Sequence, residues 1–251
     1  MRRWWLALCV VASVGAASDT RRTGFEFMTP ETQAIQRDDA QNPAMLWVQE
    51  GAAAWERKPG SAGRACIDCH GAAAKSMKGV AARYPAFDES SRRPITLAQR
   101  INACVVDRQG VAPLAPESQE LLALESFVAM QSRGLPIAPP DDLRLTPFRE
   151  RGEKLYRQRI GQLDLSCAQC HDERAGGRLA GATIPQAHPT GYPIYRLEWQ
   201  GLGSLQRRLR GCIAGVRAEP ISYGAVELTE LELYLAQRAA GMKLETPAVR
   251  P

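Results

Sequence analysis

Two five-residue segments of the chain share the pattern Cys-x-x-Cys-His, CIDCH at 66–70 and CAQCH at 167–171. This pattern is the attachment signature of c-type haem, whose vinyl groups form thioethers with the cysteines while the histidine ligates iron. A disulfide or half of a zinc site is the alternative, and the recurrence of the pattern in matching contexts argues against it. The sequence therefore predicts two covalently bound haems. Their attachment and proximal residues are Cys66, Cys69 and His70, and Cys167, Cys170 and His171.

Two further cysteines, Cys104 and Cys212, follow the two motifs at similar distances and are candidates for the sixth iron ligand. A thiolate is a soft, strong ligand that lowers the reduction potential of a haem. The alternative is a disulfide between them, the usual state of two spare cysteines in an oxidising compartment. Met130 and His188 are weaker candidates, because neither has an equivalent residue in the other half of the chain. We therefore predict thiolate ligation of both irons.

The surroundings of the second spare cysteine are strongly basic, with Arg207, Arg208, Arg210 and Arg217 close in sequence. On a helix, Arg208 and Cys212 would share a face. Positive charge lowers the pKa of a thiol, and guanidinium groups match sulfate-like oxygens well. We predict an anion-binding role for Arg208. For Arg207 and Arg210, pairing with haem propionates or exposure to solvent is an equal alternative.

The two halves of the chain repeat one plan. A glycine, an aromatic residue and the haem motif recur at an offset of 101 residues, at Gly51, Trp55 and Cys66 and at Gly152, Tyr156 and Cys167. The segments RINAC at 100–104 and RLRGC at 208–212 follow at an offset of 108, and the runs 124–129 and 231–236 at 107. A nearly constant offset over so many positions indicates an internal repeat.

Apolar periodicity predicts the helices of each half. Spacings of three and four residues indicate helices over 118–131 and 228–239, the second capped by Thr229. Earlier helices are expected over about 43–57 and 146–158, and strand patterning is poor throughout. The order of elements resembles the class I cytochrome c fold, in which the first and last helices cross near the haem. We predict an all-α protein of two tandem class I cytochrome c-like domains related by an internal repeat.

The predicted domain boundaries follow from composition. Residues 1–17 form a signal peptide, with a basic start, an apolar run and small residues before the cleavage site. The first cytochrome c domain occupies 18–135, a proline-rich linker 136–147 and the second domain 148–251. The signal peptide predicts a periplasmic protein. Its apolar run is too short to span a bilayer, so no membrane anchor is expected. The formal net charge of +5 is small for a chain of this length, so it gives no reason to expect nucleic acid as a partner.

The whole mature chain resembles the SoxA family, the larger cytochrome subunits of the SoxAX complex. The resemblance is carried by the two haem motifs about 100 residues apart, the spare cysteine after each, and the run LEWQGLGSLQRRLRGC at 197–212. It implies L-cysteine S-thiosulfotransferase activity, in which thiosulfate is oxidatively conjugated to a cysteine of the carrier protein SoxY. The implied partner is the small cytochrome SoxX.

The resemblance also implies roles for individual residues. Cys104 and Cys212 become the second axial ligands of haem 1 and haem 2, Cys212 becomes the catalytic persulfide, and Arg208 binds thiosulfate. Two other functions fit two haem motifs. One is a dihaem electron-transfer cytochrome without bond-forming activity, and the other is a dihaem peroxidase, which needs an iron with an open or labile side.

Overall fold

The computed structural model describes residues 19–179 and 181–251, so the predicted signal peptide lies outside the described residues. Helices dominate this part of the chain. They are α1 Pro30–Arg37, α2 Met45–Glu56, α3 Cys66–His70, α4 Ala73–Ser76, α5 Leu97–Gln109, α6 Gln119–Met130, α7 Thr146–Arg157, α8 Cys167–His171, α9 Leu205–Gly215 and α10 Val226–Arg238. Short 3₁₀ turns occupy Gly24–Phe27, Ala81–Arg83 and Leu143–Leu145. No helix within the described ranges is both long and apolar enough to cross a membrane.

Several short strands accompany the helices. They are β1 Ala86–Asp88, β2 Arg93–Ile95, β3 Arg178–Leu179, β4 Ala182–Thr183, β5 Ile194–Arg196, β6 Gly201–Gly203 and β7 Ala248–Arg250. β1 pairs with β2, β3 with β4, and β5 lies between antiparallel β6 and parallel β7. The mostly helical, repeated architecture confirms the predicted fold class. The strands are additions to it, because runs of two or three residues are too short to show a period of two.

Each half is built on one close helix crossing, α2 on α6 and α7 on α10. The helices approach so closely that a Cβ atom on Gly51 would lie 2.1 Å from the carbonyl oxygen of Ala123. A Cβ atom on Gly152 would lie 2.0 Å from the carbonyl oxygen of Glu230. The aromatic residue one turn after each glycine packs on the partner helix, with ring centroids 5.8 Å apart for Trp55 and Phe127 and 5.3 Å apart for Tyr156 and Tyr234. The glycine–aromatic repeat therefore marks the crossing points.

The predicted beginning of the last helix is wrong. α10 begins at Val226, after Ala225 as the N-cap residue, and Thr229 is buried inside the first turns rather than capping them. Gly224 has a φ of 76°, so the chain reverses immediately before the helix. The turn at a glycine, which the apolar spacing does not reveal, sets the start of this helix.

The two halves are tied together at both ends of the chain. In the N-terminal segment, Arg21 donates hydrogen bonds to the carbonyl oxygens of Arg238 (3.0 Å) and Ala240 (2.9 Å), at the end of α10. The backbone N–H of Val249 in β7 donates to the side chain of Gln36 in α1 at 3.0 Å. Residues 136–147, predicted as a linker, are packed as well, because Ile137 is buried and its N–H donates to the carbonyl oxygen of Met242 at 2.8 Å.

Two equivalent glutamates face one cavity between the halves. Glu125 on α6 and Glu232 on α10 line a cavity of about 160 Å³. Gln206 donates to Glu232 at 2.8 Å, whereas one carboxylate oxygen of Glu125 is buried with no hydrogen-bond partner among the described residues. Burial, reinforced by the charges of Glu232 and Glu117, raises the pKa of Glu125 to about 8. Burial also raises the pKa of Glu232 to about 7.

We predict that Gly152→Ala destabilises the protein, because the new methyl group must displace the backbone of α10. Overpacking of this kind costs about 1–3 kcal/mol, so the melting temperature should fall by several degrees. Gly215→Ala is the matched control, since a Cβ atom there meets no atom of the described residues within 4 Å. Thermal unfolding followed by circular dichroism checks the pair. Equal melting temperatures for the two variants would show that the crossing is not tight.

We predict that the free energy of unfolding falls as the pH rises from about 4.5 towards 8, partly because Glu125 loses its proton. The pKa of this residue in the folded protein lies above its ordinary value of 4.5, so the folded chain holds a proton that the unfolded chain has released. Glu125→Gln removes this titration and should stabilise the protein at pH 8 by about 1–3 kcal/mol, with little effect at pH 4.5. Denaturant titrations at both pH values measure the difference. The exposed residue Glu227 supplies the control Glu227→Gln. If the free energy of unfolding changes by the same amount between the two pH values in both variants, the prediction is contradicted.

Candidate functional site

Both haem motifs form single short helices whose first turns are capped by local residues. Before α8, the hydroxyl of Ser166 accepts from the N–H of Gln169 (3.2 Å), whose side chain accepts from the N–H of Ser166 (2.9 Å). Before α3, the Asp68 carboxylate accepts from the N–H of Ala65 at 2.9 Å. Because side chains three and four residues apart share one helix face, each motif presents its two thiols and its imidazole together.

The ring of His171 is fixed by a residue that the sequence pattern does not reveal. Its Nδ1 atom lies 2.7 Å from the carbonyl oxygen of Pro185, which accepts the Nδ1 proton. This contact selects the tautomer in which Nε2 carries the free lone pair, as required of a histidine that ligates a metal. In the first half, Trp55 donates from its indole N–H to the carbonyl oxygen of Gly71 at 3.1 Å and packs 5.6 Å from the His70 ring.

The spare cysteines lie in separate halves, each beside its own haem motif. Cys212 on α9 forms a hydrogen bond with His171, and burial and the charge of Cys212 both raise the pKa of Cys167. Burial and the charge of Cys104 on α5 both raise the pKa of Cys66, and burial and the charge of Cys69 both raise the pKa of Cys104. All six cysteines of the described residues are free, so the disulfide between Cys104 and Cys212 is absent from this part of the chain.

The two spare thiols have opposite electrostatic surroundings. Burial alone would raise the pKa of Cys212, but hydrogen bonding with His171 and the positive charge of Arg208 lower it below its usual value. For Cys104, burial dominates and raises the pKa, although the charge of Arg100 opposes the shift. The second half therefore favours a thiolate more strongly than the first.

The weaker ligand candidates Met130 and His188 lie in different surroundings. The sulfur atom of Met130 lies 3.1 Å from a guanidinium nitrogen of Arg133. His188 lines a cavity with Arg238 and His171, and burial, reinforced by the charge of Arg238, lowers the pKa of His188 to about 4. Met130 is therefore engaged by Arg133, whereas His188 shares a cavity with His171 of the second haem motif.

The arginines near Cys212 separate into two groups. Arg207 lies over the ring of Trp199, 4.2 Å from its centroid, and Arg210 lies over Tyr223 at 4.4 Å and donates to the carbonyl oxygen of Ile221. Arg208, one turn before Cys212, forms no ion pair with any described residue. A further arginine, Arg196 on β5, is buried and adds its charge to the surroundings of Cys212. Sequence spacing does not reveal Arg196, because the hairpin that brings it here is too short to predict.

The described residues fit two haems. Each motif offers two thiols and an imidazole, and a third thiol lies near it. These groups border an apolar wall. Such a site suits a large, flat, mostly apolar group held by thiolate and imidazole ligands. Around the first motif, the wall consists of Trp55, Met77, Leu97, Phe127 and Val128. Around the second, it consists of Tyr156, Leu205, Leu209, Leu231, Tyr234 and Leu235.

Comparison with known proteins gives the same assignment for both halves. The sequence model of the family described as SoxA/TsdA, cytochrome c domain, matches residues 50–137 and again 151–244. A protein from Rhodovulum sulfidophilum named L-cysteine S-thiosulfotransferase subunit SoxA is 38% identical over 232 residues, covering 92% of this chain and 81% of that protein. The subunit of the same name from Pseudaminobacter salicylatoxidans is 38% identical over 240 residues, covering 95% of this chain and 84% of its own.

A solved structure agrees with these matches. A chain in the crystal structure of SoxXA from P. pantotrophus superimposes with a TM-score of 0.89 at 34% identity, covering 92% of this chain and 87% of that chain. Two cytochrome c domains in one chain mean two c-type haems as cofactors. The extent of these matches, together with a thiol facing each haem motif, shows that the chain belongs to the SoxA/TsdA cytochrome c family.

Proposed function

We propose that the protein oxidatively conjugates thiosulfate to a cysteine of a carrier protein, with Cys212 as the catalytic residue. The observation that carries this proposal is the placement of the Cys212 thiol beside His171, one helical turn from Arg208, which has no ion pair within the described part of the chain. A half-buried thiol with a lowered pKa, next to a guanidinium that forms no ion pair with any described residue, suits oxidative joining to a sulfur anion. The relatives named above carry the corresponding activity in their names, L-cysteine S-thiosulfotransferase.

Each haem would be held by one motif and one spare cysteine. Haem 1 would be attached at Cys66 and Cys69 and ligated by His70 and Cys104. Haem 2 would be attached at Cys167 and Cys170 and ligated by His171 and Cys212. Bound haem supplies acceptors that take up electrons one at a time, at potentials lowered by thiolate ligation.

The reaction is a two-electron oxidation in which the sulfur of Cys212 holds the thiosulfate group before its transfer to the carrier. With Cys212 as a persulfide, its outer sulfur would form a new S–S bond with the sulfane sulfur of thiosulfate, and the two electrons released would pass one at a time to the haem acceptors named above. The carrier thiolate then attacks the sulfane sulfur that bears the sulfonate, and the S–S bond to the outer persulfide sulfur breaks. The products are a carrier cysteine S-thiosulfonate and the regenerated Cys212 persulfide, so atoms and charge balance over one turnover.

Arg208 would bind the sulfonate oxygens of thiosulfate. Thiosulfate and a persulfide are both anions, so their approach is opposed by charge repulsion that a guanidinium offsets. Its position one turn before Cys212 places the guanidinium on the same helix face as the reacting sulfur. The absence of a carboxylate partner for Arg208 among the described residues keeps its charge available to a ligand.

The partners of the protein would be those of the SoxA family. SoxX would supply the second cytochrome subunit of a heterodimer, in keeping with the SoxXA assembly that contains the matched P. pantotrophus chain. SoxY would supply the acceptor cysteine. Residues 1–17 would direct the protein to the periplasm, where haem attachment and these partners are found.

We predict that Cys212→Met removes the activity while the haem remains bound. Methionine can still ligate iron, but it has no thiol that can carry a persulfide. The rate of carrier conjugation with thiosulfate should fall by on the order of 10³-fold or more. Cys104→Met is the matched control, since it makes the same exchange at the equivalent position of the other half.

The measurement is steady-state reduction of cytochrome c by thiosulfate in the presence of carrier, with haem content from the absorption spectrum. Cys104→Met should keep activity within about tenfold of the wild type. Comparable losses in both variants would contradict the assignment of the reaction to the second half.

A further inference from the structure

The two hairpins that precede the spare-cysteine helices are equivalent residue by residue. In the first, Ala86 faces Ile95, and in the second, Ile194 faces Gly203, an offset of 108 on both strands. The helix caps follow at the same offset, because Thr96 caps α5 and Ser204 caps α9. Positions 88 and 196 therefore correspond, as do 100 and 208 and the two spare cysteines.

In the first half, the arginine before the spare cysteine is neutralised. The Asp88 carboxylate at the end of β1 forms an ion pair with Arg100 at 2.6 Å. Asp88 is buried, and the backbone N–H and hydroxyl of Ser91 both donate to it at 2.8 Å. The guanidinium of Arg100 thus has a fixed internal carboxylate.

In the second half, the same position carries the opposite charge. Arg196 replaces the carboxylate, and only 8% of its surface is exposed. Its Nε–H donates to the carbonyl oxygen of Pro251 at 2.8 Å, and its guanidinium lies 5.1 Å from the ring centroid of Trp199. Its carboxylate contact is Glu198 at 3.2 Å, a side chain that is 54% exposed to solvent. The contacts with Pro251 and Trp199 therefore hold the Arg196 side chain in place.

Two guanidinium groups lie close together in the second half. By the shared register, Arg196 stands where Asp88 contacts Arg100 in the first half, and so it lies beside Arg208. In agreement with this placement, burial and the nearby charge of Arg208 both lower the pKa of Arg196. Holding two like charges close together, one of them buried, is unfavourable unless an anion lies between them. A dianion such as thiosulfate would relieve this repulsion, and a pair of guanidinium groups can bind several of its oxygens at once.

We propose that Arg196 is a second thiosulfate-binding arginine of the Cys212 site, and that the exchange of Asp88 for Arg196 confines anion binding to the second half. This inference rests on the proposed function and names a residue that determines its specificity. In the first half, the carboxylate of Asp88 occupies the place where a bound anion would otherwise lie. In the second half, Arg196 and Arg208 leave that place to the substrate.

The test compares Arg196→Gln, Arg196→Lys and the control Arg207→Gln in the haem-loaded protein. Arg207 stacks on the same Trp199 ring but is not placed in the anion site. Thiosulfate binding is measured by isothermal titration calorimetry, and KM and kcat are measured separately. Loss of a charged hydrogen bond should raise Kd and KM for thiosulfate about 10- to 100-fold in Arg196→Gln, with kcat within about threefold of the wild type.

Arg196→Lys should bind thiosulfate with an intermediate Kd, because it keeps the charge without the fork of donors. Arg207→Gln should bind it as the wild type does. The paramagnetic resonance spectrum of haem 2 checks that each variant keeps its thiolate ligand. If Arg196→Gln fails to retain haem 2, the thiosulfate Kd of Arg196→Lys is the test instead. A wild-type Kd in Arg196→Lys would then overturn the inference.

A wild-type Kd and KM in Arg196→Gln, with haem 2 unchanged, also overturns the inference. Failure of the proposed function gives a different result, since the wild-type protein itself would then neither bind thiosulfate nor conjugate it to a carrier. An Asp88→Asn variant supplies the comparison for the first half. The Kd at the Cys212 site should equal that of the wild type, and a second equivalent of thiosulfate should bind, because Arg100 loses its internal carboxylate. Binding of one equivalent only would overturn the claim that Asp88 keeps the anion out of the first half.

Discussion

The approach of the Cys212 thiol to the ring of His171 joins two segments that lie 41 residues apart in the sequence. The surrounding structure serves to hold these two side chains. Pro185 fixes the ring through its carbonyl oxygen, the cap at Ser204 fixes the start of α9, and the crossing of α7 and α10 at Gly152 fixes the apolar wall behind them. The proposed roles of Cys212 as reactive sulfur and of His171 as iron ligand require this rigidity, because small displacements of reacting groups are costly in rate.

The two halves show how one scaffold supports two kinds of site. Both contain a haem motif, a helix crossing at a glycine and a cysteine on the helix after a hairpin. They differ at the end of the hairpin, where Asp88 in one half corresponds to Arg196 in the other. At this position a negative charge is exchanged for a positive one without any change in the backbone register. The chemistry of the second half thus depends on charge placed on a framework that both halves share.

Much of the fold and part of the site follow from the sequence. Residue spacing in the sequence predicts the haem motifs, the repeat, the crossing helices and the spare cysteines. It can do so because each of them reflects a local period or a fixed chemical pattern. Pro185 and Arg196 are not visible in this way, since their roles depend on how a loop and a three-residue hairpin fold back onto α8 and α9. The beginning of α10 escapes prediction for a related reason, because a glycine turn sets it rather than apolar spacing.

Peptide mass spectrometry of the mature, non-reduced protein from its native host tests the persulfide mechanism most directly. We expect haem on both Cys-x-x-Cys-His peptides and the mass of one additional sulfur atom on the peptide that contains Cys212. The Cys104 peptide should carry no additional sulfur. A cross-linked peptide joining Cys104 and Cys212 would contradict the mechanism, because it would remove both thiolates at once and leave a cytochrome that only carries electrons.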